Sequence, residues 1–189
     1  MKILSKSFYL KDPAVAAKEL LGKLLVRKLG NEELLGKIVE TEAYYGLSDP
    51  ASRVTKKAAE SFSLKAGQTF IYMVHNSWLL NIVANKKDKP QGVLIRAVEP
   101  LNNLEILKKN RKGKDCFLLT NGPGKLTQAM KITKEHHGIM VYAKDSDLTI
   151  AEGTKEHFII ISNHRIGIRN DLKRKLRFYI EGSKWVSKI

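Results

Sequence analysis

One alternating stretch, residues 38–46, constrains the fold of this chain more than any other. It is rich in β-branched and aromatic residues, holds no proline and ends in a glycine, so it predicts a β-strand. Because side chains on a strand alternate between its two faces, Ile38, Glu40, Glu42 and Tyr44 are expected on one face. Two carboxylates and a phenol on one surface leave two interpretations open: the solvated side of a half-buried strand, or a chemical site.

Short apolar runs separated by turn residues continue along the chain, which is typical of strands connected by hairpins. The pattern predicts strands at residues 23–29, 34–45, 69–74, 78–84, 93–98, 139–143, 148–151, 158–162 and 176–180. It predicts helices at residues 14–21, 103–110 and 125–132, and a long loop or broken helix at residues 46–63. The expected fold is a single α+β domain over residues 1–189 with a largely antiparallel sheet.

The charge balance is strongly basic, with 34 Lys and Arg residues against 19 Asp and Glu and a formal net charge of +15. Basic residues cluster at residues 108–114 and from residue 164 onwards, and strand-like apolar runs interrupt or flank both clusters. A folded surface this basic favours a polyanionic partner, with nucleic acid first and an acidic membrane surface second. A generic lysine-rich surface, as in thermophiles, is the alternative.

Cysteine, histidine and hydropathy patterns disfavour several classes of protein. The single cysteine, Cys116, excludes an internal disulfide framework and a multi-cysteine metal site. The five histidines show no metal-ligand spacing, so neither a metal nor another cofactor is expected. No apolar run approaches the length of a membrane span, and no secretory signal is seen at the N-terminus. We therefore expect a cytoplasmic protein without a membrane partner.

A charged residue interrupts one apolar strand, because Arg96 lies in the middle of the predicted strand at residues 93–98. A buried or half-buried guanidinium needs an anionic partner, since leaving it alone costs several kcal/mol. A carboxylate on a neighbouring strand, such as Glu42 or Glu40, would serve. A structural salt bridge and a chemical site are both open at this point.

The glycine-rich turn at residues 122–125, followed by a predicted helix, resembles part of a phosphate-binding loop. Leu119 and Leu126 stand where a Walker motif needs a glycine and a Ser or Thr, so nucleotide hydrolysis is not expected. What is left is a helix N-terminus with Lys125 beside it. This is either an ordinary turn or a contact for one backbone phosphate.

Six motifs occur together in the order of one known family, at residues 20–27, 36–44, 92–100, 122–126, 165–168 and 176–182. On these motifs the chain resembles, nearly from end to end, the alkyladenine (3-methyladenine) DNA glycosylases of the single-domain, purine-excising type. The resemblance implies a curved, open, barrel-like sheet similar to the C-terminal domain of formyltransferases. Helices are expected to flank this sheet, and a protruding hairpin is expected to insert into DNA.

The resemblance also implies an activity. The enzyme would flip a damaged purine nucleotide (3-methyladenine, 7-methylguanine or hypoxanthine type) out of double-stranded DNA and hydrolyse its N-glycosidic bond. It would leave an abasic site, show no lyase activity, and act as a monomer. By resemblance Glu42 is the general base that activates water, and Arg96 and the backbone carbonyl of Ile166 hold that water. A neighbouring Arg96 is expected to favour the ionised form of Glu42.

The remaining roles follow from the same resemblance. Tyr44 and Tyr72 would stack on the two faces of the flipped base, and Asn81 matches the pocket asparagine of the family. Arg53 stands where the family has a base-recognising histidine, and His75 is the residue expected to wedge into the duplex from a hairpin one residue shorter than usual. The expected phosphate contacts are Lys56, Lys57, Lys125 and Arg165.

Two hypotheses of other classes remain alongside the glycosylase. One is a catalytically silent nucleic-acid-binding protein on the same scaffold, for which a carboxylate facing DNA would lower affinity. The other is a formyltransferase-like module, which would need a catalytic domain outside this sequence. Retention of Glu42 together with Arg96 favours the glycosylase over the silent binder.

Overall fold

The computed structural model describes residues 1–51, 63–85 and 89–187. These residues form eight strands and three α-helices, joined by turns and short 3-10 segments. The strands are β1 (Leu24–Leu29), β2 (Glu32–Tyr44), β3 (Thr69–Val74), β4 (Ser77–Val83), β5 (Gly92–Pro100), β6 (Leu148–Ala151), β7 (Ile160–Asn163) and β8 (Arg177–Ile180). The helices are α1 (Pro13–Leu20), α2 (Leu104–Asn110) and α3 (Pro123–Ala129).

All strand pairs are antiparallel, and the eight strands form one sheet with the order β3-β4-β5-β2-β1-β6. Strand β8 pairs with β2 and with β7, so the sheet branches beside β2. The sheet curls into a half-barrel, which confirms the predicted α+β class and curved antiparallel sheet. None of the described helices is both long and apolar enough to cross a bilayer.

Strand β2 is the centre of the sheet because it pairs along its whole length. One edge pairs with β5, and the other edge pairs first with β1 (residues 32–37) and then with β8 (residues 40–42). The β2–β5 register shifts twice between Ile38 and Thr41, which leaves Val39 and Arg96 without paired residues. Such bulges bend a strand and break its alternation.

The bulge corrects one sequence-based expectation. Strict alternation placed Ile38 on the face of Glu40, but Ile38 and Val39 both belong to the apolar core. Further along β2 the alternation holds, because Thr41 and Ala43 are turned away from Glu42. The Thr41 hydroxyl donates to the Ala17 carbonyl of α1 at 2.8 Å, which ties the core face of β2 to that helix.

Helix α1 covers the apolar face of the sheet and begins as the sequence predicts. Asp12 caps it, since its side chain accepts from the Ala14 N–H at 2.9 Å, and Pro13 occupies the first helical position. Small residues such as Ala16 and Ala17 form part of the buried side of the helix, which packs against β2, β5 and β8. The core face of the sheet is aliphatic and aromatic, with Ala43, Ile71, Leu80, Ile82, Val93, Ile95 and Phe178 all buried.

The predicted strand at residues 139–143 is wrong. Only Met140 forms an isolated bridge, with Gln68. Gly138 adopts a φ of +81° and turns the chain just before this segment. Residues 139–143 therefore do not form a paired strand. The segment instead covers the outer edge of β3: the Thr69 N–H donates to the Ile139 carbonyl at 2.9 Å, and the Ile71 N–H donates to His137 Nδ1 at 3.2 Å.

Candidate active site

The polar face of the sheet carries a row of residues that lie directly opposite one another on adjacent strands. The register pairs Asn81 of β4 with Leu94 of β5, Leu94 with Glu42 of β2, and Glu42 with Arg177 of β8. Opposed residues on a sheet share a face. Asn81 and Glu42 are two strand spacings apart, so their backbones are separated by about 10 Å. The ladder therefore brings together residues that are distant in the sequence.

Glu42 is fully buried and is held by two hydrogen bonds and one ion pair. The Ile166 N–H donates to Oε1 at 2.8 Å, the Tyr44 hydroxyl donates to Oε2 at 2.8 Å, and Arg96 Nη1 lies 3.3 Å from Oε2. A carboxylate can accept about four hydrogen bonds, two at each oxygen. Among the described residues only the Ile166 N–H donates to Oε1, so this oxygen can accept one further hydrogen bond.

Burial and the neighbouring donor groups shift the pKa of Glu42 in opposite directions. Burial raises the pKa of Glu42 above the usual carboxyl range, and Arg96, the Ile166 N–H and the Tyr44 hydroxyl lower it without cancelling the effect of burial. The expectation that Arg96 favours the ionised form is right in direction, but the net shift is upward. A carboxylate with a raised pKa is a stronger base, which suits an acceptor of protons near neutral pH.

Glu40, two residues earlier on the same face, is bound on all sides. Its Oε1 accepts from Arg96 Nε at 2.9 Å, from Arg177 Nε at 2.7 Å and from the Ser187 hydroxyl at 2.9 Å. Its Oε2 accepts from the Ser187 N–H at 2.7 Å. The carboxylate is fully buried, so two guanidinium groups and the C-terminal segment share one anion. The carboxylate partners predicted for Arg96 are confirmed.

Tyr44 and Tyr72 stand on the polar face. Burial, assisted by Glu42 and by the nearby Tyr72, raises the pKa of the Tyr44 phenol far above its usual range, so it remains a donor to Glu42. The Tyr72 ring lies 5.3 Å from that of Phe70, centroid to centroid. Asn81, opposite Phe70 in the ladder, donates through Nδ2 to the Phe70 carbonyl at 3.2 Å.

The predicted phosphate contact at Arg165 is not available. The residue is 3% exposed, and its guanidinium is bound by Asp49 (2.6 and 2.8 Å) and Asp171 (2.5 and 3.1 Å). Its Cζ lies 4.6 Å from the centroid of the Tyr44 ring. A cation that is neutralised and buried in this way cannot reach a phosphate. Arg165 instead supports the residues of the site.

The hairpin between β3 and β4 turns through two exposed residues, His75 and Asn76. Their φ angles of 46° and 60° are those of a tight type I′ turn. The ladder extends to the last pair before the turn, Val74 with Ser77. His75 is therefore presented at the tip of a paired hairpin, as a wedge would require.

Of the other residues predicted to contact DNA, only Lys125 lies within the described residues. Lys125 lies at the start of α3 and donates to Asn121 Oδ1 at 2.8 Å. Burial and the neighbouring Arg111 lower the pKa of Lys125. The remaining three, Arg53, Lys56 and Lys57, lie outside the described residues.

Sequence reasoning missed four residues that support the site: Asp49, Asp171, Arg177 and Ser187. Asp49 lies in the predicted loop or broken helix at residues 46–63, and Asp171 lies in the basic region from residue 164 onwards. The sequence holds only a weak signal for them: an acid in an otherwise basic segment can indicate a buried arginine nearby. Arg165 lies 116 residues from Asp49, and Ser187 lies 147 residues from Glu40, so no local pattern could identify these contacts.

Metal binding is not indicated by the donor sets. Within residues 1–51, 63–85 and 89–187, no group of three or more His, Cys, Asp and Glu side chains could hold an ion.

Comparison with known proteins gives a consistent result. The family model described as methylpurine-DNA glycosylase matches residues 7–184. A provisionally named 3-methyladenine DNA glycosylase of Clostridium novyi is 44% identical over 206 aligned residues, covering 100% of both chains. Similarly named proteins of Clostridium beijerinckii and Aeropyrum pernix are 39% and 35% identical, covering 98% and 99% of this chain and 99% and 94% of their own lengths.

Proposed function

This chain belongs to the methylpurine-DNA glycosylase family and is a DNA glycosylase of base excision repair, and on that premise we propose its reaction. We propose that it flips alkylated or deaminated purines out of duplex DNA and hydrolyses the N-glycosidic bond with a water activated by Glu42. The observation that carries the proposal is the remaining acceptor position on Glu42 Oε1, beside a carboxylate whose pKa burial has raised.

The proposed step balances without a cofactor. Water donates one proton to Glu42 Oε1 as its oxygen bonds to the sugar C1′. The bond from C1′ to the purine nitrogen breaks, and its electron pair leaves with the base. A purine alkylated on the ring is already cationic and departs neutral, so it needs no added proton. A deaminated purine is neutral and departs as an anion, which takes a proton from solvent while Glu42 returns to solvent the proton it gained. Arg96 and the Ile166 carbonyl would hold the water, which adds a positioning contribution to that of general base catalysis.

The base would lie between Tyr44 and Tyr72 with Asn81 at its edge. One face of Tyr44 is occupied by the Arg165 guanidinium, so the base would stack on the other face. Electron-rich rings attract a cationic purine by a cation–π interaction, which suits alkylated bases. His75 would fill the space that the flipped nucleotide leaves. Arg53 would recognise the base or a phosphate near the pocket.

Release of free base tests this proposal directly. Duplexes carrying one 3-methyladenine, 7-methylguanine or hypoxanthine are incubated with the enzyme, and chromatography measures the base released. We expect release from at least one lesion duplex, together with an alkali-labile abasic site and no strand cleavage before alkali. The Arg53→His variant on the same panel reports whether residue 53 sets lesion preference. Absence of release from every lesion, with tight DNA binding retained, would favour the catalytically silent binder.

Salt should weaken DNA binding steeply. The loop after Ile166, whose own N–H donates to Glu42, carries exposed cations at Arg169, Lys173 and Lys175. If about five phosphates are neutralised, log K falls against log [salt] with a slope of about −4 to −5. Fluorescence anisotropy over a salt series measures the slope. Lys173→Gln should make it about 0.9 less steep, and the control Lys28→Gln, on β1, should not. A slope near zero would contradict docking through phosphates.

A further inference from the structure

We propose that Arg165, clamped by Asp49 and Asp171, is a positioning residue that fixes the Tyr44 ring and the Ile166 amide against Glu42. This latch, defined as these three side chains, rests on the proposed role of Glu42 as the base. It gives a buried ion cluster near the site a role in the reaction as well as in folding.

Arg165 uses all five of its N–H donors. Nε and one hydrogen of Nη2 go to Asp171, one hydrogen each of Nη1 and Nη2 goes to Asp49, and the second hydrogen of Nη1 goes to the Ala43 carbonyl at 3.0 Å. Five donors in a rigid planar fork are a property of arginine alone. Lysine would keep the charge but could satisfy only part of this set.

The latch joins three parts of the chain. The Ala43 carbonyl belongs to the end of β2, and Asp49 follows that strand and also accepts from the Tyr45 and Ala51 N–H groups at 3.1 and 3.0 Å. Asp171 belongs to the loop between β7 and β8 and accepts from the Arg165 N–H at 2.9 Å. The loop is therefore fastened to β2 by a buried, fully hydrogen-bonded ion cluster.

Both groups that donate to Glu42 on this side depend on that fastening. The Ile166 N–H is one residue beyond Arg165, so a displacement of Arg165 moves the amide that donates to Glu42 Oε1. The Arg165 guanidinium also lies against the ring of Tyr44, whose hydroxyl donates to Oε2. One side chain thus sets the direction of the Ile166 and Tyr44 groups that donate hydrogen bonds to the base.

The latch remains charged at neutral pH. Burial opposes ionisation of Asp49 and Asp171, but hydrogen bonds from Arg165 and from backbone N–H groups lower the pKa of both below the usual carboxyl value. The pKa of Arg165 is raised above its usual value, because the two aspartates outweigh the opposing effect of burial. Hydrogen bonds between ionised partners are stronger and more directional than neutral ones, which suits a positioning role.

Arg165→Lys and Asp171→Asn test the latch against the control Arg27→Lys. Arg27 is also a buried arginine paired with an aspartate, Asp147 at 2.8 Å, but it lies on β1 beyond the site. The measurements are single-turnover excision of the lesion found above as a function of pH, affinity for an abasic-site duplex, and thermal unfolding. All three variants should lower the unfolding temperature.

Only the two latch variants should change the reaction. Loss of the Ile166 hydrogen bond favours the protonated form of Glu42, so the acidic limb of the pH–rate profile should move up by about one pH unit. The rate at pH 7 should fall about tenfold or more, while affinity changes less than about twofold. If Arg165 were only structural, the latch variants and Arg27→Lys would share one wild-type pH profile, and that outcome would overturn the proposal.

Failure of the latch can be separated from failure of the proposed function. NMR titration of the Glu42 carboxyl carbon reports its pKa without any catalysis, and Arg165→Lys should raise that pKa relative to wild type and to Arg27→Lys. If no lesion is excised but the pKa moves, the proposed function fails and the latch stands. If excision occurs and neither the pKa nor the profile moves, the latch fails alone.

Discussion

Replacement of Glu42 by glutamine is expected to lower the single-turnover rate of base excision by about 10²–10⁴-fold, the usual contribution of a general base. Glutamine keeps the volume and can still accept from the Ile166 N–H, but it cannot take a proton from water. Binding to the lesion duplex should be retained, because Glu42 is buried and does not contact phosphate. Quench-flow excision assays and anisotropy measure the two quantities separately.

Stability should not fall in Glu42→Gln. The pKa of Glu42 is raised in the folded state, so its ionised form is disfavoured by folding. This cost is absent below the unfolded carboxyl pKa and grows as the pH rises towards the folded pKa. The variant removes the cost, and we expect an unfolding temperature at pH 7 equal to or above that of wild type. Glu99→Gln, at a half-exposed position on β5, is the matched control. Excision at the wild-type rate by Glu42→Gln would remove Glu42 from the mechanism.

Replacement of Glu40 by glutamine, unlike that of Glu42, should destabilise the fold, with a loss of about 3–5 kcal/mol in the free energy of unfolding. Glu40 neutralises Arg96 and Arg177 in a buried setting and accepts four hydrogen bonds. Glutamine removes the negative charge, and its amide nitrogen must face either the donors at Oε1 or the Ser187 N–H. Two buried cations are then left without their shared anion.

Urea unfolding measures this loss. Since whole domains are stable by only about 5–15 kcal/mol, Glu40→Gln should lose a large part of its stability. The control Glu99→Gln breaks the half-exposed pair of Glu99 with Lys37 and should lose at most about 1 kcal/mol. An unfolding midpoint of Glu40→Gln equal to that of the control would show that Ser187 and solvent compensate for the lost anion.

The contrast between Glu40 and Glu42 shows what sequence can predict here. Alternation correctly placed both carboxylates and Tyr44 on one face of β2, because strand periodicity is local and the strand is long. Nothing in the alternation distinguishes the two glutamates. The distinction comes from Arg177 and Ser187, which reach Glu40 across 137 and 147 residues of chain.

Two errors have identifiable physical causes. The bulge that places Ile38 in the core depends on the fit between β2 and β5, which the residues of β2 alone do not specify. The family resemblance, together with the basic segment around it, implies a phosphate contact at Arg165. Its burial depends on Asp49, from a distant turn, and on Asp171 in the same loop. Tertiary ion pairs between distant acids and bases leave little trace in local composition.

The geometry of the hairpin tip has a consequence for the search along DNA. His75 lies at φ 46°, in a region that glycine adopts more easily, and the β3–β4 ladder holds it there up to the last residue pair. A ring presented on a preformed turn loses little conformational freedom when it enters a base stack. On the proposed wedge role of His75, we expect the protein to probe successive base pairs without a folding step at each one, so that the opening of the DNA would limit the speed of scanning.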